Sequence, residues 1–170
     1  VREEIEIGAF TQKDAEILLS GEAFSDILKA RLIERKNNIR FQAKGFSMSP
    51  FIKNGDIVTV KSILHGYRLN FGDLVVINKD TPLNKIALHR IVGKSQGSCL
   101  IKGDNNYEAD GFFSTGSIFG KVTKVERNCK RVLFGFGPER FIIAFLSRYN
   151  LLIPLLFPLR FSIRFIRKLF

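Results

Sequence analysis

Short runs of apolar and β-branched residues fill the middle of this chain, and they constrain its fold more than any other feature of the sequence. Between residues 39 and 133 the apolar pattern has a period of two, and turn sequences such as Gly-Asp, Gln-Gly and Gly-Asp-Asn-Asn separate the runs. The runs lie at residues 57–60, 74–77, 87–92, 99–101 and 118–125. Short strands at this spacing predict a mostly β fold, a compact antiparallel barrel or sandwich.

The preceding segment has a helical period and predicts an N-terminal amphipathic helix within residues 12–36. Its apolar residues follow the i, i+3, i+4, i+8 spacing of one helix face, and Ser20 is a candidate N-cap. They are Phe24, Ile27, Leu28, Leu32 and Ile33. One helix is too short for a helix-turn-helix DNA-binding module, so we expect it to dock on the β-rich body or on a partner.

The C-terminal segment is apolar and basic. Residues 135–138 have the composition of a linker, and residues 140–170 then carry six basic residues and no acidic one. The longest charge-free run, residues 149–159, has 11 residues, whereas a bilayer-spanning helix needs roughly 20. The tail therefore predicts contact with the interfacial layer of an anionic membrane. The alternative is that it covers an apolar patch on its own domain or on a partner.

Composition limits the organisation and the ligands that we expect. The patterns divide the chain into an N-terminal helical segment (1–38), a β-rich domain (39–133) and the apolar basic tail (134–170). Although the net charge is +11, the aliphatic residues of the tail are not suited to binding phosphate groups, so we expect no nucleic-acid partner. The two cysteines, Cys99 and Cys129, match no metal-ligand spacing, and we expect neither a metal nor another cofactor.

Four polar residues are candidates for chemistry because of their order and surroundings. Ser47 lies in a turn-forming sequence, where its hydroxyl can project and its backbone N–H can stabilise an oxyanion. His89 ends a strand-like run, and an imidazole is the usual general base near neutral pH. Asp104 and Asp110 follow in a polar, glycine-containing loop, and either could orient the imidazole. Each residue alone is ordinary, but together they predict a serine-hydrolase site.

These segments resemble the signal peptidase I clan, and within it the archaeal and endoplasmic-reticulum type. The family's Ser-Met-x-Pro motif matches residues 47–50, and its His-Arg pair matches residues 89–90. Its Gly-Asp-Asn-Asn motif, with another Asp six residues after the first, matches residues 103–110. The resemblance covers roughly residues 40–126. It implies Ser47 as the nucleophile, His89 as the general base, Asp110 as the partner of His89, and Asp104 as a structuring or assisting residue.

The sequence departs from the family pattern in ways that bear on its function. Family members carry a transmembrane helix before the serine motif, whereas a charged amphipathic helix is predicted here, so we expect membrane contact through the tail. Gly45 stands where many members have a hydroxyl residue that assists the oxyanion. The Gly-x-Ser-Met sequence also resembles the self-cleaving SOS-repressor peptidases, which use a lysine base. Lys85 is the nearest lysine to His89 in sequence, but four residues along a strand place it about 13 Å away.

The sequence therefore predicts a prokaryotic, membrane-associated serine endopeptidase that removes a signal or leader peptide after small residues. Its partners would be a peptide or pre-protein substrate, bound as an extended strand, and an anionic membrane surface contacted by residues 140–170. Two alternatives stay open. One is a self-processing or regulator-cleaving peptidase of the SOS-repressor type, and the other is an inactive module of the same fold that binds peptides or membranes.

Overall fold

A computed structural model of the protein describes residues 8–12, 15–19, 38–63, 68–79 and 86–156, the first two ranges by their backbone only. These residues form one antiparallel sheet of ten strands in the order β2-β1-β3-β4-β9-β5-β6-β7-β8, with β10 paired to β9 outside that order. The strands are β1 (Gly8–Gln12), β2 (Ala15–Leu19), β3 (Ile39–Gln42), β4 (Ile57–Ser62), β5 (Leu74–Asn78), β6 (Ile86–Ser95), β7 (Ser98–Lys102), β8 (Gly111–Ser114), β9 (Ile118–Arg127) and β10 (Lys130–Arg131).

The prediction of a mostly β, antiparallel fold is confirmed, but the sheet is not a closed barrel. Within the described residues, β2 and β8 lie at opposite ends of the strand order and do not pair with each other. Closure depends on which distant strands pair, and the spacing of short apolar runs carries no information about that.

Strand β5 lies inside the sheet and contributes to two apolar clusters. Leu74 and Val76 pack with residues of β3, β4 and β9, whereas Val75 and Ile77 pack with residues of β6 and β7. Successive side chains of a strand point to opposite faces, so its unbroken run of apolar residues covers both sides. Strand β5 pairs with β6 and holds Val75 opposite His89.

The predicted N-terminal helix is wrong for the residues of that segment that the structure describes. Residues 15–19 form β2, which pairs with β1, and Phe10 of β1 pairs with Phe41 of β3. The local sequence pattern favours a helix, but pairing with the distant strand β3 favours strands here. Whether a segment forms a strand often depends on such distant partners more than on its own sequence. The proposed N-cap Ser20 and the apolar stripe from Phe24 to Ile33 lie outside the described residues.

The described part of the tail packs on the sheet. Helix α1 (Arg140–Arg148) buries Ile143, and Leu152 follows in a short helical turn; both pack against Phe51. The ammonium of Lys102 donates to the carbonyl oxygen of Ser147 at 2.6 Å and to the side chain of Asn150. Carbonyls at a helix C-terminus attract positive charge, so this buried lysine anchors the end of α1. In the described part of the chain, no helix has the length and hydropathy that crossing a bilayer requires.

Candidate active site

The loop between β3 and β4 presents Ser47. It is a tight turn, in which the N–H of Ser49 donates to the carbonyl of Phe46 at 3.0 Å and that of Ile52 donates to the carbonyl of Met48 at 3.0 Å. Met48 is buried in the core cluster, whereas Ser47 is only partly buried. The Ser-Met pair therefore anchors the loop through one residue while the neighbouring hydroxyl faces the site.

His89 lies in the middle of β6 and contacts Ser47 directly. The imidazole Nε2 is 2.9 Å from Ser47 Oγ, and the histidine side chain is almost completely buried. Its other ring nitrogen, Nδ1, is hydrogen-bonded to Asp110 Oδ2. A carboxylate only accepts hydrogen bonds, so Nδ1 carries the proton and Nε2 is left to accept from the hydroxyl of Ser47. The three side chains thus form the Ser-His-Asp arrangement that activates a serine.

Asp110 lies directly before β8, and its backbone N–H donates to the carbonyl of Ile101 at 2.9 Å. Its second carboxylate oxygen, Oδ1, is 2.5 Å from the ammonium of Lys79. Burial alone would raise the pKa of the Asp110 carboxyl, but the hydrogen bonds and charges of His89 and Lys79 outweigh it and hold that pKa below its ordinary value. Asp110 is therefore ionised at neutral pH and able to stabilise an imidazolium.

Asp104 has a different partner from Asp110, although the same segment carries both. Its carboxylate accepts hydrogen bonds from Arg90 Nε at 2.8 Å and Arg90 Nη2 at 2.7 Å, and both side chains are fully buried. Arg90 also donates to the carbonyl oxygens of Gly72 and Gly135. Complete burial raises the pKa of the Asp104 carboxyl, against the opposing charge and hydrogen bonds of Arg90. The structure therefore joins Asp104 to Arg90, the neighbour of His89, and not to the imidazole.

The other two Gly-Asp turns bury their carboxylates in the same way. Asp56 is bound by Arg127 at 2.7 Å, and Asp73 is bound by Lys121 at 2.7 Å. Both carboxylates also accept a backbone N–H from the residue three positions earlier. The recurring Gly-Asp sequence thus forms turns in which a buried carboxylate pairs with a basic residue of a neighbouring strand. The pair of Asp104 and Arg90 has the same pattern.

The turn that carries Asp104 packs against the turn that carries Ser47. The N–H of Asn105 donates to the carbonyl oxygen of Ser47 at 2.7 Å, and a Cβ on Gly103 would lie 2.9 Å from that same oxygen. Only glycine allows this approach, since real Cβ contacts are essentially never so close. The Gly-Asp-Asn-Asn motif therefore sets the position of the nucleophile as well as that of the buried carboxylate.

Backbone groups of the serine turn are the candidates for holding an oxyanion. Within the described residues the N–H of Ser47 has no hydrogen-bond acceptor, so it can donate to a substrate oxygen. Gly45 has a φ of +87°, and a Cβ built there would meet no atom within 4 Å. The position that could hold an assisting hydroxyl is thus open space.

Sequence reasoning missed the contacts of two residues in this region. Arg90 belongs to the His-Arg motif, but nothing in that motif indicates that Arg90 pairs with Asp104. Lys79 gave no signal, because a single lysine after a strand is ordinary surface composition. Lys85, the alternative base, lies outside the described residues.

No metal or disulfide feature competes with this interpretation in the described ranges. They contain no cluster of three or more histidine, cysteine or acidic residues that could hold a metal ion. Cys99 is buried and Cys129 is exposed, and both are free thiols. Burial raises the pKa of the Cys99 thiol, which makes it a poor nucleophile.

No protein-family model matches the sequence, and no curated protein is significantly similar to it.

Proposed function

We propose that this protein is a serine endopeptidase in which Ser47 is the nucleophile and His89 is the general base. The single observation that carries the proposal is the chain of contacts from Ser47 Oγ through the imidazole to Asp110. These residues come from three separate segments, which are 42 and 21 residues apart in sequence. The packing of a protein core does not require a hydroxyl, an imidazole and a carboxylate to be aligned in this order. The alignment therefore supports a catalytic role.

The reaction would follow from these contacts. Ser47 Oγ attacks the scissile carbonyl carbon while its proton passes to Nε2 of His89, and Asp110 stabilises the imidazolium. The N–H of Ser47 donates to the oxyanion. The C–N bond then breaks as His89 returns the proton to the leaving amine. A water molecule, deprotonated by His89, attacks the resulting ester, releases the new carboxyl group and restores the serine hydroxyl.

The signal-peptidase type of fold and substrate is the finer part of this proposal. The motifs around Ser47, His89 and Asp104 support it, and the substrate would be a signal or leader peptide cut after small residues. An extended peptide needs a free strand edge to pair with. Strand β8 offers one, because it lies at the end of the strand order within the described residues and begins directly after Asp110.

We also propose that α1 holds the enzyme at an anionic membrane. The helix has an inner face, with Ile143 and Ala144 buried on the body, and an outer face that leaves large apolar side chains exposed. These are Phe141, Ile142, Phe145 and Tyr149, followed by Leu151 and Leu155. Exposed aromatic residues together with six basic and no acidic residues in 140–170 suit the interface of an anionic bilayer.

The two alternatives predict different behaviour of single residues. A peptidase of the SOS-repressor type would depend on Lys85 rather than His89, yet His89 is the residue in contact with Ser47. An inactive binding module would keep its function without Ser47, and Gly45 is the feature that favours it, since no side chain there assists an oxyanion.

The test is cleavage of a panel of leader peptides with small residues before the scissile bond, by detergent-solubilised protein. Wild type and Lys85→Ala should cleave the same peptides at the same bond. Ser47→Ala and His89→Ala should lose cleavage while keeping the wild-type circular dichroism spectrum. Loss of activity in Lys85→Ala but not in His89→Ala would overturn the proposed base. A panel that wild type leaves intact would favour the inactive module.

A further inference from the structure

Asp110 makes a contact that the Ser-His-Asp arrangement does not require. One oxygen of its carboxylate bonds the imidazole of His89, and the other lies 2.5 Å from the ammonium of Lys79. The Asp110 side chain is only 6% exposed, whereas that of Lys79 is 33% exposed. Lys79, the more exposed of the two residues, therefore places its ammonium against a largely buried carboxylate.

The strands fix the relative positions of these groups. Lys79 directly follows β5, and β5 pairs with β6, which carries His89. Asp110 is also held by its backbone N–H, which donates a hydrogen bond to the carbonyl oxygen of Ile101 in β7. The Asp110 carboxylate thus lies between the ammonium of Lys79, which follows β5, and the Nδ1–H of His89 on β6.

We propose that Lys79 is a fourth member of the site, a positioning residue that holds the Asp110 carboxylate towards His89. The proposal rests on the function proposed above, in that it assigns Lys79 a role in the same reaction. One oxygen of the Asp110 carboxylate bonds His89 and the other contacts Lys79. The carboxylate therefore cannot rotate away from the imidazole without breaking the contact with Lys79.

The charged groups that face His89 can be named from each packed segment. Asp110 precedes β8, Asp104 follows β7, and Lys79 follows β5; the charge of Asp104 also acts on His89. Asp104 is bound by Arg90, so a substitution of Lys79 leaves it unchanged. A substitution of Lys79 therefore tests the contact between Lys79 and Asp110 while the contact between Asp104 and Arg90 stays in place.

The test compares Lys79→Met, which keeps the length of the side chain and removes its charge, with Lys79→Arg, which keeps the charge. Steady-state cleavage of a panel peptide gives kcat and KM of each variant. We expect Lys79→Met to lower kcat about 10-fold with little change in KM, since the Asp110 carboxylate is then free to turn away from the imidazole. Lys79→Arg should keep the wild-type kcat, as should the control Lys130→Met on the exposed strand β10.

The NMR signal of the proton on Nδ1 of His89 gives a second readout, which does not depend on cleavage. The chain has only two histidines, so a His65→Gln variant assigns the signal. This proton lies in the hydrogen bond to Asp110, so its chemical shift should change in Lys79→Met and keep the wild-type value in Lys79→Arg. An unchanged signal in Lys79→Met would overturn the role of Lys79 even if cleavage persists. A changed signal with no peptide cleaved by wild type would support Lys79 and contradict the peptidase.

Discussion

Asp104 and Asp110 are six residues apart, but their carboxylates have different partners and should fail in different ways. Asp110 bonds His89 and Lys79 at the edge of the site. Asp104 is fully buried together with Arg90. The spacing of the two residues could not separate these roles, because both follow a strand in a polar turn. What decides between them is the position of each backbone relative to β6, and the sequence does not encode that locally.

Substitution Asp110→Asn should remove activity with little effect on substrate binding. The asparagine amide can donate to Nδ1 of His89, and the proton then resides on Nε2, where the imidazole can no longer accept from Ser47. We expect kcat to fall about 1,000-fold or more while KM changes little. Steady-state cleavage of a panel peptide measures both, and a kcat within tenfold of wild type would remove Asp110 from the proposed relay.

Substitution Asp104→Asn should act on stability instead. It leaves the guanidinium of Arg90 buried without a counter-charge, which typically costs about 3–5 kcal/mol. Urea unfolding at neutral pH measures the free energy of unfolding of this variant. The control is Glu126→Gln, which removes a carboxylate whose basic partners, Arg40 and Lys124, are both exposed to solvent, and it should change stability far less. Equal losses in both variants would contradict the structural role of Asp104.

At the scale of elements, two turns build the site by packing against each other. The turn between β7 and β8 donates from Asn105 to the carbonyl of Ser47, and Gly103 allows that contact. The nucleophile is therefore positioned by a turn more than fifty residues away in sequence, through backbone atoms that no side-chain motif reveals.

Substitution Gly103→Ala should displace the serine turn. Its Cβ would lie 2.9 Å from the carbonyl oxygen of Ser47, a backbone atom that cannot rotate aside. A shift of about 1 Å at a reacting group can cost about 100-fold in rate, so we expect a loss of that order in kcat. The control is Gly116→Ala, whose Cβ would meet only the Ser114 hydroxyl at 3.8 Å. Wild-type kcat in Gly103→Ala would contradict this coupling of the two turns.

The strands that the sequence predicted are those with dense apolar residues. The runs at 57–60, 74–77, 87–92, 99–101 and 118–125 all lie in strands, in β4, β5, β6, β7 and β9 respectively. The short strands β8 and β10 were missed because they are exposed in part or whole and have little apolar pattern. The hairpin of β1 and β2 was missed because its pairing with β3 is non-local, whereas its sequence also suits a helix.

At the scale of the whole molecule, the basic charge and the exposed apolar side chains meet in the tail. Lys102 and Arg148 bind α1 to the body through the carbonyls of Ser147 and Val92. The helix is thus held with its apolar outer face turned away from the sheet. The inner face covers an apolar patch on the body, which was one of the two expectations for the tail. Membrane contact through the outer face stays a prediction.

Removing the outer aromatic residues of α1 should weaken membrane binding. Replacing Phe141, Phe145 and Tyr149 together by serine removes exposed side chains, so the fold should persist. We expect roughly 100-fold weaker partitioning onto anionic vesicles, since each aromatic residue contributes on the order of 1 kcal/mol when it enters the interface. Vesicle co-sedimentation measures this, with Phe112→Ser as a control at an exposed aromatic residue of β8. Equal binding of the triple variant and wild type would contradict the proposed membrane face.

If Ser47 is the nucleophile, its hydroxyl oxygen forms a covalent bond with the substrate during the reaction. The most direct measurement is to stop the reaction of wild type with a cleaved leader peptide by acid, digest the protein and locate the acyl group by mass spectrometry. We predict an ester on the Ser47 hydroxyl, carrying the amino-terminal part of the peptide, and its absence in Ser47→Ala. An acyl group found on another residue, or product formed by Ser47→Ala at the wild-type rate, would contradict the account.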